Sequence, residues 1–261
     1  MTRVTSLALA ALVAALLGCA GGPARSARPA VSEDAERAAR AHHGQGSNLL
    51  KEGKIAHAIR ELRAAAGLNP NDPWIRLALG EAYRLRGMMD EAQHEIREAL
   101  LINPKFQEAR LTLSGIYVQL GRYADAIAEA QILIDDPTYG EVWMPLTNKG
   151  FSQMQLGQLS EARKSLELAT EFEDSYWRAY LNLGILASLE GQREEALAHF
   201  ARVIEFGAGT LGEAEANYRS AEICVALGDQ GRAIRHLLAA NQRNPDGQWG
   251  RASAEYLKRL Q

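Results

Sequence analysis

The chain has 261 residues, 47% hydrophobic and 23% charged, with a formal net charge of −3. That length holds one or two compact domains, and that balance is ordinary for a water-soluble globular protein. The mild acidity removes the general electrostatic basis for binding nucleic acid, which rests on strongly basic surfaces. Alanine, leucine, glutamate and arginine dominate, so the bulk is expected to be helical.

Residues 1–18 read as a targeting leader and stand outside the fold. Arg3 supplies its positive charge, and Val4 to Leu17 is an uncharged, mostly apolar run. That run is too short to span a bilayer, which takes about 20 helical residues. It ends in Leu16-Leu17-Gly18-Cys19, which resembles the lipobox of bacterial lipoproteins. The resemblance implies cleavage before Cys19 and covalent lipidation of its thiol, such as diacylglycerol and palmitate; Leu17 departs from the small residue preferred there. The alternative is an ordinary secretory leader with an incidental cysteine. One buried CH₂ contributes about 0.8 kcal/mol and one chain anchors only reversibly, but the three chains of such lipoproteins imply permanent anchoring. Ala20, where inner-membrane sorting signals carry aspartate, implies the outer membrane. Residues 19–32 then form a tether, because AGGPARSARPAV is rich in Gly, Pro and Ala without apolar periodicity. Ser32, followed by Glu33, Asp34 and Glu36, reads as the N-cap and acidic first turn of a helix.

From there the chain repeats. Glycines at 53, 87, 121, 157, 191 and 228 lie 34, 34, 36, 34 and 37 residues apart, each with an alanine five residues on: Ala58, Ala92, Ala126, Ala162, Ala196 and Ala233. Leu79-Gly80, Tyr83, Ala92, Ile96, Ala99 and Pro104 best display the pattern, and Leu183-Gly184, Ala196 and Phe200 restate it. This resembles the tetratricopeptide repeat, a helix–turn–helix unit of 34 residues. The implied fold is all-α, a right-handed superhelical solenoid of six repeats, at about 39–72, 73–106, 107–140, 143–176, 177–210 and 214–247, within residues 33–247. The physics agrees. Gly80 and Gly184 leave room for the crossing helix, and the turn glycines take the left-handed conformation that ends the first helix. The two longer spacings, at ILIDDPTYGEVW and EFGAGTLGEAEA, are expected as extended turns. In residues 248–261, Trp249, Ala252, Tyr256 and Leu260 share one face, as in a helix capping the last repeat.

Catalytic chemistry finds no constellation here. His42 and His43 are adjacent and cannot share a helix face; His57, His94, His199 and His236 fall on second helices of different repeats and read as solvated. No metalloprotease motif, phosphate-binding loop or serine elbow is found. Cys224 occupies the slot of Tyr83 and Tyr117 and reads as a buried packing residue, not a disulfide partner of Cys19. The expectation is a non-enzymatic protein without metal, cofactor (beyond lipid on Cys19), small-molecule substrate or nucleic acid.

The concave surface of such solenoids is lined by first helices. Its slots here hold Trp74 and Leu77, Leu111 and Val118, Met144, Phe151 and Met154, and Leu181 and Ile185. So apolar a groove reads as a partner site, with methionines adapting to a peptide or amphipathic helix. Alternatively, some of these side chains pack into neighbouring repeats. A lipidated cysteine, a tether and six repeats, together with the break from Asp135 to Ala162 after the third repeat, resemble the type IV pilus biogenesis lipoproteins, the pilotins. That resemblance implies binding to secretin subunits of the pilus machine, and promotion of their outer-membrane localisation and multimerisation, hence pilus assembly and twitching or gliding motility, with the repeats facing the periplasm. A general periplasmic scaffold lipoprotein for envelope or outer-membrane protein assembly is the alternative.

Overall fold

The computed structural model describes residues 31–260. Cys19, the leader and most of the tether lie outside them. Thirteen helices and no strand make up the described residues: α1 (Glu33–Lys51), α2 (Ile55–Leu68), α3 (Pro73–Arg86), α4 (Met89–Ile102), α5 (Gln107–Gln119), α6 (Tyr123–Ile134), α7 (Trp143–Gln155), α8 (Leu159–Phe172), α9 (Trp177–Leu189), α10 (Arg193–Phe206), α11 (Leu211–Ala226), α12 (Gln230–Arg243) and α13 (Gln248–Leu260). They form six antiparallel pairs followed by the expected capping helix, α13.

Local signals set the helix ends. The Ser32 hydroxyl accepts from the Ala35 amide, and Asp72 caps α3 with Pro73 in its first turn. Each pair turns at one of the six periodic glycines, with φ between 70° and 82°. A β-carbon is disfavoured there, so glycine ends the first helix at least cost.

The crossing of a pair is built, in all but the third repeat, on one small residue against one large one. A β-carbon added at Gly80 would stand 2.6 Å from Ile96 Cδ1, and one at Gly184 would stand 2.5 Å from the Phe200 ring. Gly46 against Leu62 and Gly150 against Leu166 repeat the contact. The third repeat is the exception and sets two small residues together: Ser114 replaces glycine and donates to the Ala126 carbonyl (3.1 Å), and Ala130 takes the place of the large residue. All six periodic alanines on the second helices are fully buried. They allow the close approach that the pattern demands.

Successive first helices touch one another along the array: α1, α3, α5, α7, α9, α11 and then α13. Second helices of neighbouring repeats do not touch. The first helices are therefore the crowded inner row and the second helices the splayed outer row, which makes the first-helix face concave.

The two insertions resolve differently. After α6, eight residues, 135–142, form an extended turn. Gln107 Nε2 pins it by donating to Asp136 Oδ2 (2.8 Å) and Thr138 Oγ1 (2.9 Å). The Gln107 bond, with the Thr138 hydroxyl and amide donating to Asp136 Oδ1, holds the Asp136 carboxyl below its usual range. Tyr139 turns its hydroxyl inward without a hydrogen-bond partner among the described residues, and burial pushes it up to about 12. The second insertion departs from expectation. The connection at 207–210 is only four residues, the length of the ordinary inter-repeat turns, and the extra residues instead lengthen α11 to 16 residues. The cause is Trp177: Gly207 and Gly212 lie against its indole, and any β-carbon at Gly212 would overlap the ring. The Glu213 carboxylate closes the turn, accepting from the Gly209 amide (2.7 Å) and from Arg243 (2.9 Å).

Candidate partner-binding groove

The concave row carries the sequence-derived residues, but not all as open surface. Trp74 is 52% exposed and lies edge-on to Phe106, with ring centroids 4.5 Å apart. Leu77, Leu111, Val118, Met144, Phe151, Leu181 and Ile185 are half-buried. Leu77 and Val118 lean on the core of repeats one to three, and Phe151, Leu181 and Ile185 on that of repeats four and five. Phe151 also meets the Tyr123 ring edge-on at 6.3 Å. These residues present part of their surface to the groove and spend the rest on packing between repeats. Met154 is a correction. It is 5% exposed and belongs to the core with Leu166 and Leu183, because at this register its side chain inserts between repeats.

Leu111, Val118, Met144, Phe151, Leu181 and Ile185 give the middle of the row partial apolar surface, but the helix position of Trp74 and Met144 holds the exposed Glu108 in repeat three and Arg178 in repeat five. Glu81 and Arg84 neutralise one another at 2.7 Å in repeat two. Arg178 lies with its guanidinium carbon 4.5 Å from the centroid of the Trp177 ring. Such a surface can hold apolar side chains of a partner segment, with polar recognition left to the rim.

Four of the six histidines are not simply solvated, contrary to the sequence reading. His57 and His94 are exposed, but His42, His43, His199 and His236 are partly buried. His42 Nδ1 donates to Glu61 Oε2 at 2.9 Å, which holds the Glu61 carboxyl below its usual range. His236 Nδ1 donates to Asn217 Oδ1 at 2.9 Å. Burial lowers His236, as it does His199, where Glu195 opposes the shift. The His42–Glu61 and Asn217–His236 bonds belong to a register that sequence inspection missed. A residue on the first helix meets one 19 positions later on the second, as in Arg76–Glu95 and Arg110–Glu129, both at 2.6 Å. The 19-residue spacing was visible in the sequence. Its meaning needed the crossing geometry.

Cys224 is buried and free, in the packing slot assigned to it. Among the described residues, no group of three or more His, Cys, Asp or Glu could hold a metal ion, and no helix is long and apolar enough to cross a membrane.

These features define the class: a tetratricopeptide-repeat solenoid with an apolar concave face. A family model described as the tetratricopeptide repeat matches residues 49–102 and 85–144. Among curated proteins, the chain is similar to superkiller complex protein 3 of Mus musculus, 35% identical over 90 residues, which is 34% of this chain and 6% of that one. The chain thus spans a small fraction of that relative's length. Among solved structures, it is similar to PilW, described as a widely conserved type IV pilus biogenesis factor. The TM-score is 0.71 at 21% identity, over 82% of this chain and 97% of that chain. It is also similar to pilF of Pseudomonas aeruginosa, with a TM-score of 0.68 at 17% identity, over 86% of this chain and 100% of that chain. At these identities the likeness is one of fold.

Proposed function

We propose that the protein is a non-enzymatic outer-membrane lipoprotein, anchored through lipid on Cys19, that binds the type IV pilus secretin in its apolar concave groove. By holding the secretin subunits at the membrane it promotes their localisation and multimerisation. The observation that carries this reading is one of extent. The solenoid covers PilW and pilF almost from end to end, not merely in a shared pair of repeats. The lipobox-like Leu16-Leu17-Gly18-Cys19 supports the anchor, and the exposed apolar surface of the groove supports a peptide-like client.

The test is a deletion strain complemented with variants. Cys19→Ala is expected to give a folded array that no longer fractionates with the outer membrane. Leu111→Asp with Phe151→Asp is expected to keep its helical circular dichroism and lose capture of the secretin. Normal secretin multimers in the deletion strain would overturn the proposal, and capture of other envelope proteins instead would favour a general scaffold.

A further inference from the structure

The buried core runs through most boundaries between repeats but not through the middle one. One cluster extends from Ala39 to Ala126 in repeats one to three, and another from Met154 through repeats four and five to Ile223 of repeat six. Between repeats three and four the chemistry changes. In the first helices of repeats two, three and five, the residue before the crossing position is Leu79, Leu113 or Leu183, each buried. Repeat four holds Lys149 there, and its ammonium donates to Gln131 Oε1 of α6 at 2.7 Å. Asn148 Nδ2 donates to Ser114 Oγ of α5 at 3.4 Å. The position of Ala82, Ile116 and Leu186 holds Ser152, fully buried, with no hydrogen-bond partner for its hydroxyl among the described residues. Arg63 and Arg97 donate to the hydroxyls of Tyr83 and Tyr117 across the first two boundaries. Here the tyrosine slot holds Gln153, which accepts from Ser165 of its own repeat (2.7 Å).

Two apolar contacts hold the edges of this boundary. Beside the inter-repeat turn, Ile134 at the end of α6 packs on the cluster of Leu146, together with Val142 and Trp143. At the opposite edge, the Tyr123 ring meets Phe151 edge-on, with centroids 6.3 Å apart. Between them the small Ser114 and Ala130 let α6 and α7 lie close, but Lys149, Gln131, Asn148 and Ser114 meet there through polar atoms. Parting an apolar boundary costs the hydrophobic free energy of the area it exposes. Parting polar side chains exchanges their bonds for bonds to water at little net cost.

We infer that the solenoid flexes at this one boundary, as two bodies of three repeats hinged at residues 134–146 and latched by Tyr123 on Phe151. Leu111 and Val118 stand on one side of it, and Met144 and Phe151 on the other. Its opening therefore sets the width of the concave groove at its centre, whatever the groove binds.

The test is double electron–electron resonance on the full-length chain, with spin labels carried on p-acetylphenylalanine so that both native cysteines stay untouched. Arg60, His94, Ala128, Lys164, Ala198 and Arg235 are exposed and share one register position on the six second helices. Label pairs two repeats apart then compare boundaries in a single geometry. His94/Lys164 and Ala128/Ala198 span the polar boundary, whereas Arg60/Ala128 and Lys164/Arg235 do not. The first two distance distributions should be about twofold broader than the other two. Lys149→Leu with Ser152→Ala should narrow them toward the controls, and Tyr123→Ala should broaden them further. Four equal widths in the wild-type background would overturn the inference, as would widths that these substitutions leave unchanged.

Discussion

Repeats one to three and repeats four to six reach the same helix crossing with different chemistry. In the first half, the 19-residue pairs are His42–Glu61, Arg76–Glu95 and Arg110–Glu129, each with a hydrogen-bonded carboxylate. Arg63 and Arg97 further tie each repeat to the next by donating to the hydroxyls of Tyr83 and Tyr117. One continuous cluster of buried residues runs from Ala39 to Ala126. In the second half the same slots hold Leu146 and Ser165, Tyr180 and His199, and Asn217 and His236. The tyrosines of the tie become Gln153, Ala187 and Cys224, and the core divides into separate clusters. What persists in both halves, outside the third repeat, is the small-against-large contact at the crossing. Packing volume therefore sets the solenoid geometry, and the polar pairs are interchangeable attachments to it.

The strongest way to break this comparison is at the shared contact. Gly184→Val meets the rigid Phe200 ring and Gly80→Val meets Ile96. Each should cost about 2–3 kcal/mol through overpacking, read as a lower urea midpoint and faster amide exchange in its own and adjacent repeats. Equal tolerance of valine at both sites would remove packing as the common determinant.

The polar pairs should separate the halves. Arg76 and Glu95 are 18% and 12% exposed, so Glu95→Gln should cost about 2 kcal/mol by leaving a mostly buried guanidinium without its counter-charge. Replacing the pair together, as Arg76→Leu with Glu95→Ser after the fourth repeat, should recover most of that loss. His236→Ala in the sixth repeat should cost under about 1 kcal/mol, since it removes a neutral bond. A double replacement no better than Glu95→Gln would show that the ion pair specifies the first half.

The smallest expected effect is with pH. His199 and His236 are held below the usual histidine range by burial, and Arg232 and Arg235 add repulsion at His236. On His236, α11 contributes the neutral Asn217. A depressed folded-state value means the unfolded chain binds more protons, so this stability is complete above about pH 6.5 and is lost as pH falls through the folded-state values. Glu61 in the first half is a depressed carboxylate, and its contribution is lost only in the carboxylate range, well below pH 6. Amide exchange at pH 7.0 and 5.5 should therefore show loosening of α10 and α12 while α3 to α6 hold. Uniform behaviour of both halves would contradict the assignment.

Much of this was legible in residue spacing. The turn glycines, the buried alanines, the Ser32 cap, the role of Cys224 and the capping helix follow from periodicity, because each is a local steric demand repeated six times or a local hydrogen bond. The groove was legible only in part. Spacing placed its residues on one row of helices, but how far Met154 or Phe151 is covered depends on the neighbouring repeat.

The sequence by itself determined the helix pairs, their register and their number, since those depend on contacts within about 34 residues. Only the tertiary structure decided where the insertions went, which histidines lost their solvent and where the concave face is apolar or charged. Those outcomes depend on side chains from different repeats competing for the same volume: Trp177 draws residues 207–212 over its ring and turns an expected loop into helix.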